Sequence, residues 1–308
     1  MYPIIFVIVV LSLIVVIQSA FATTNGIAEK TALSPLYIIS TRNNVTLNNT
    51  ELINGILDKL GGNCSREIAI YTHGWNKDEN DATEEFNRVQ ASLNHNNYII
   101  PLIGLSWNSK VDYPMAQNNA KDNGPKLAQF IIDFNNRCLD THIRLLSHSL
   151  GAAVIESSLV SLDATPTLNA SSSNNSKIIK SVHLLGATIN NKLIVKNTAL
   201  GKATEEVVDR FYNLYSSEDN GLEFSKEYEH HDPLGLIGAP SGMDVPANYN
   251  QQNVAYQIPP FADADGDGDI MECIRSYKPV LIWGENHCGY IGFRYPFVGS
   301  LIDDDGAL

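Results

Sequence analysis

The chain has 308 residues, 44% of them hydrophobic and 18% charged, with a formal net charge of −13. That composition excludes a disordered or repetitive chain, and one domain of such a length buries about three quarters of its unfolded surface. The negative charge, with no basic stripe interleaved with aromatics, excludes nucleic acid as a partner.

The N-terminus carries an apolar run from Ile4 to Ile17 followed by Ala20-Phe21-Ala22. An h-region of this length before an A-x-A site predicts a signal peptide over residues 1–22 and a mature chain from Thr23. No Lys or Arg precedes the run, so an uncleaved anchor over Tyr2 to Ala22 competes with that reading, approaching the roughly 20 residues that span a bilayer. The chain is expected to be secreted or extracellular, or held at a membrane surface by this segment. N-x-[ST] sequons stand at Asn44, Asn48, Asn63, Asn169 and Asn174, in polar stretches suited to glycosylation. The four cysteines, Cys64, Cys138, Cys273 and Cys288, match no zinc spacing, and an even count in an exported chain favours disulfides. Three pairings exist. Cys273 and Cys288 flank one predicted strand and make the preferred pair, which leaves Cys64 with Cys138.

Pro35 to Thr41 reads as a buried strand, and Glu51 to Leu60 as a short helix. "EIAIYTHGWN" is a strand ending in His73-Gly74, and the 3.6-residue spacing from Asn80 to Asn94 predicts a helix. "YIIPLIGLSW" is the next strand. Met115 to Asn136 is helical, with Gly124-Pro125 expected to break or restart it. "HIRLLSHSLGAAVIESSLVSL" reads as strand, sharp turn and helix, and "IIKSVHLLGAT" as a strand. A helix over Ala203 to Phe211 and the strand "YNLYSSED" follow. Gly221 to Phe261 looks irregular, and "PVLIWG" is the last strand. Alternating strands and helices predict an α/β fold with a mostly parallel central sheet covered on both faces. Residues 23–308 form one domain in this reading, with 221–261 as an insertion or lid.

The chemistry is expected at the C-terminal ends of the strands. In Ser147-His148-Ser149-Leu150-Gly151, small residues two before and two after Ser149 suit a strained strand-to-helix turn that presents a nucleophilic hydroxyl. Such a hydroxyl needs a home for the developing oxyanion, and the N–H groups of Trp75, after His73-Gly74, and Leu150 are the candidate donors. Of eight histidines, His287 follows a predicted strand at the right end and is the candidate base, whereas His148 reads as packing within the turn. The acid should lie between nucleophile and base in the chain. The strand "VHLLGAT" offers none. The next ends in Glu218-Asp219, of which Asp219, before Asn220-Gly221, is preferred and Glu218 is the reserve.

"IAIYTHGWN", "GLSW", "AQNNAKDNGPKLAQFI", "HIRLLSHSLGAA" and "WGENHCGYIGF" together resemble the α/β-hydrolase superfamily, nearest its lipase/esterase-like branch. The likeness runs over about residues 33 to 293. It implies hydrolysis of carboxylic esters, small-molecule or lipid, through an acyl-enzyme at Ser149, with His287 shuttling the proton, Asp219 orienting it and no cofactor required. Pancreatic-type lipases hold the acid one strand earlier, where this chain has none. A catalytically silent surface binder and a thioesterase or peptidase using the same residues are the competing functions. Asp263, Asp265, Asp267 and Asp269 in "DADGDGD" offer oxygen ligands at alternate positions, which suit a structural calcium site, although a solvated acidic loop is the favoured reading. Ile274 stands where an EF-hand needs Glu.

Overall fold

The structure is a computed structural model that describes residues 33–42, 47–165, 177–258 and 285–291. β1 (Leu36–Ser40), α1 (Asn49–Lys59), β2 (Glu67–Thr72), α2 (Glu79–His95), β3 (Leu102–Ser106), α3 (Tyr113–Arg137), β4 (His142–His148) and α4 (Gly151–Asp163) alternate along the first half. β5 (Ile179–Leu185), α5 (Ala199–Val207), β6 (Val208–Tyr215), α6 (Asn220–Glu229), a single-turn α7 (Leu234–Ile237) and β7 (Tyr249–Asn253) continue it. The seven strands make one sheet in the order β1-β3-β2-β4-β5-β6-β7, and every pairing is parallel.

Parallel strands covered on both faces bury nearly every position, which is why β2 and β3 are near-continuous apolar runs. Successive side chains still divide between the faces. Ile68 and Ile70 of β2 join an apolar cluster with α1, α3, α4 and α5. Ala69 and Tyr71 pack with Phe86, Val89 and Leu93 of α2 on the other face. Each such fully buried aliphatic or phenyl side chain contributes about 1.5–3 kcal/mol.

α3 runs unbroken through Pro125, against the expected break. Proline has no N–H for the carbonyl four residues earlier, here that of Lys121. The Ser157 hydroxyl of α4 donates to that oxygen at 2.7 Å, so the missing bond is replaced from the neighbouring helix. Gly124 permits the approach, since a Cβ there would lie 2.3 Å from the Ser157 Cβ.

Residues 221–258 are more regular than expected. Asp219 caps α6 by accepting from the Leu222 N–H at 3.0 Å, and β7 extends the sheet beside β6. β7 reads Tyr-Asn-Gln-Gln-Asn with four of its five residues exposed, a polar edge without apolar alternation. The helix expected over Ala203 to Phe211 begins earlier and gives way to β6 at Val208. The leader, the sequons at Asn44, Asn169 and Asn174, the acidic run Asp263 to Asp269, Cys273 and the strand "PVLIWG" lie outside the described residues. Cys64 and Cys138 are bonded, tying the turn before β2 to the end of α3. Among the described residues no helix is long and apolar enough to cross a membrane.

The chain passes from β2 to β3 on one side of β2, then through α3 to β4 on the other. At such a reversal the loops leaving the two strands diverge, and a crevice opens at their C-terminal ends.

Candidate active site

β4 ends at His148, and Ser149 follows with φ +54° before α4 begins at Gly151. Left-handed backbone at a residue with a Cβ is held by its surroundings. Here the Ser149 N–H donates to the Leu185 carbonyl at 3.0 Å, and the Ser149 carbonyl accepts from Ala152 N at 3.1 Å. Gly151 is fixed by contact: a Cβ would come within 2.4 Å of the Thr72 carbonyl oxygen, so α4 enters directly beneath the end of β2. No side chain caps α4, whose N-cap residue is Leu150.

The turn after β2 lies against this elbow, a Cβ on Gly74 falling 3.0 Å from the Ser149 Cβ. His73 fixes the turn. Its Nε2 accepts from the Trp107 N–H at 3.1 Å, so the proton sits on Nδ1, which donates to the Gly74 carbonyl at 2.9 Å. The ring stacks on Trp107 at 5.3 Å, and burial lowers its pKa to about 4, keeping it neutral. A trans peptide sets N–H opposite to C=O, so anchoring the Gly74 carbonyl also fixes the Trp75 N–H. Arg42 braces the continuation by donating to the Lys77 and Asp78 carbonyls at 3.1 and 2.9 Å.

His287 reaches this corner from a short 3-10 turn, Glu285–His287. Its Nδ1 lies 2.9 Å from both carboxylate oxygens of Asp219, which only accept, so Nδ1 carries the proton. Asp219 is wholly buried and also accepts from the Tyr290 hydroxyl at 3.2 Å. Glu218 is exposed, and its carbonyl accepts from Asn286 Nδ2 at 2.6 Å. Of the two acidic candidates, the structure brings Asp219 to the imidazole.

Ser149 and His287 line one cavity together with Trp75, Tyr113, Thr188 and Ser225. Segment 221–261, expected as a lid or insertion, reaches its wall through Gly221 and Ser225. Tyr113, Thr188 and Ser225 were not legible in the sequence, because each reaches the cavity only through the packing of distant elements.

His148 does more than pack. Its Nε2 donates to the His287 carbonyl at 2.6 Å, and the two rings lie 4.7 Å apart. Behind it Glu85, almost wholly buried, accepts from the Tyr71 hydroxyl at 2.6 Å and pairs with Lys77 at 3.3 Å. Burial alone would raise the Glu85 carboxyl, but the Lys77 ammonium and the neighbouring imidazoles hold it below the ordinary carboxylate range. Burial and the adjacent His287 lower His148 to about 4. Among the described residues no cluster of His, Cys, Asp or Glu has the arrangement to hold a metal ion.

A family model described as an alpha/beta hydrolase of unknown function (DUF900) matches residues 48–256. Among solved structures, a Trichoderma reesei cutinase bound to a phosphonate inhibitor is similar at 18% identity and a TM-score of 0.32, over 52% of this chain and 70% of that one. The catalytic core of acetyl xylan esterase from the same fungus gives 11%, 0.36, 61% and 82%. A cutinase-like protein from a Cryptococcus species gives 14%, 0.38, 77% and 92%. No curated protein matches the chain.

Proposed function

Since this chain belongs to the alpha/beta hydrolases of the DUF900 family, we propose that it is an exported serine esterase cleaving carboxylic esters through an acyl-enzyme. The observation that carries the reading is Ser149 at positive φ on a strand-to-helix turn, sharing a cavity with an imidazole whose Nδ1 is engaged by both oxygens of a buried carboxylate.

In this reading the Ser149 oxygen attacks the ester carbon while its proton passes to His287 Nε2, the nitrogen left with a lone pair by the Asp219 bond. The carbonyl oxygen gains the electron pair and is met by the N–H groups of Trp75 and Leu150. Collapse returns the pair and breaks the bond to the alcohol oxygen, which takes the proton from His287. Water then enters by the same path: it gives its proton to His287, attacks the acyl carbon, and the acid departs as Ser149 recovers its hydrogen. Asp219 stays ionised and stabilises the transient imidazolium. No step calls for a cofactor, and any calcium at Asp263 to Asp269 would be structural in this scheme.

Export is supported by the apolar leader, by the Cys64–Cys138 bridge and by the exposed sequons at Asn48 and Asn63. A fluorophosphonate probe should label the protein, and labelling should vanish in Ser149→Ala while kcat toward p-nitrophenyl acetate drops by roughly 10⁴-fold or more. Labelling that persists in that variant overturns the assignment. N-terminal sequencing of protein recovered from medium should read from Thr23.

A further inference from the structure

The cavity beside Ser149 has a volume of about 20 Å³, close to what one water-sized group fills. Its far wall is aromatic. The Trp75 and Tyr113 rings meet edge to face at 5.0 Å and 78°, with Trp75 next to the Gly74 turn that touches the serine. Trp75 is pinned by its Nε1–H donating to the Val111 carbonyl at 2.9 Å.

Tyr113 is held more firmly. Its hydroxyl donates to Glu229, whose two carboxylate oxygens also accept from Ser225 Oγ, Gln117 Nε2 and His231 Nε2, each at 2.7 Å. The four donors come from α3, from α6 and from the residues just after it, so moving Tyr113 disturbs two helices at once. Four donors converging on one carboxylate hold the ring in place.

The wall bears on the acyl part of a substrate. The acyl carbon becomes bonded to Ser149, so a substituent that enters the cavity beside that serine meets the Trp75 and Tyr113 rings that line it. We propose that the site selects esters of the shortest carboxylic acids, acetyl above all, with Trp75 and Tyr113 as the size gate and Glu229 as the clamp that keeps it closed. This rests on the serine-esterase reading. Thr188 and Ser225 also line the cavity, and longer acyl chains must unseat Tyr113 from Glu229.

The test is an acyl series of p-nitrophenyl esters, acetate to octanoate, on the full-length protein. Wild type should lose at least about ten-fold in kcat/KM between acetate and hexanoate. Tyr113→Leu should raise the hexanoate-to-acetate ratio by about ten-fold or more, and Tyr113→Phe, which keeps the ring and frees it from the clamp, by a smaller factor. Should Tyr113→Leu fail to fold, Trp75→Leu reads the same ratio. Hexanoate equalling or exceeding acetate in wild type overturns the proposal, and so does a ratio that neither wall residue changes. Fluorophosphonate labelling without acetate turnover also overturns it. Absence of both labelling and turnover instead removes the parent reading and this inference with it.

Discussion

His148 bears on two residues of the proposed mechanism: it precedes Ser149 in the chain, and its imidazole donates to the carbonyl of His287. His148→Phe keeps a planar ring and removes the hydrogen bond, so His287, the proposed base, loses its backbone anchor. We expect kcat on p-nitrophenyl acetate to fall by about ten- to a hundred-fold with KM nearly unchanged, because orientation is lost rather than binding. His148→Gln, which presents an N–H donor at similar reach, should recover much of the loss. A Gln variant no better than Phe, or an effect carried by KM, would count against this role. The sequence offered Ser149 through its strand, turn and flanking small residues, and it offered Asp219 and His287 through chain order. It showed His148 only as packing and gave no sign of Glu85, because their parts exist only once β2, α2, β4 and the 285–291 segment are packed together.

At the scale of elements, the junction of α3 and α4 makes a sharp prediction. Gly124→Ala inserts a methyl where the backbone and side chain of Ser157 already lie within van der Waals contact, forcing the helices apart. Overpacking of this kind costs about 1–3 kcal/mol, measurable as a lower urea midpoint with unchanged slope. A variant as stable as wild type would mean that α4 yields freely. The same junction explains why a break was expected at Pro125, since a local rule assigns the missing bond to its own helix and cannot anticipate a hydroxyl from α4. β7 escaped notice for a different reason. An edge strand of amide side chains has little buried surface, so the period-two pattern that announces interior strands is absent. Strands β2 to β5 were legible because burial on both faces writes itself into composition.

For the molecule as a whole, three buried histidines govern acid behaviour. His73 and His148 are lowered to about 4, and His183, buried against Ser181 and Tyr212, to about 3. In the unfolded chain each titrates near about 6.5. Between those values the unfolded state binds more protons, so stability declines as pH falls from about 6.5 toward 4, by as much as about 1.4 kcal/mol per pH unit for each ring. Urea unfolding at several pH values should show that slope, and His183→Phe should flatten it by close to one proton. An unchanged slope would show that His183 is protonated in the native state. The Cys64–Cys138 bridge spans 74 residues, and replacing both cysteines with alanine should cost on the order of 4 kcal/mol by loop-closure entropy, read as a lower denaturant midpoint.

His287, the proposed base, follows β7 in the chain, although Ser149, the proposed nucleophile, and the turn beside it adjoin interior strands. Synthesis therefore delivers Ser149, its elbow and Asp219 before the imidazole assigned to activate the hydroxyl. Under the proposed mechanism, a nascent chain that stops short of His287 carries the serine and the carboxylate but no imidazole to take the hydroxyl proton, so it would have no means of attacking an ester.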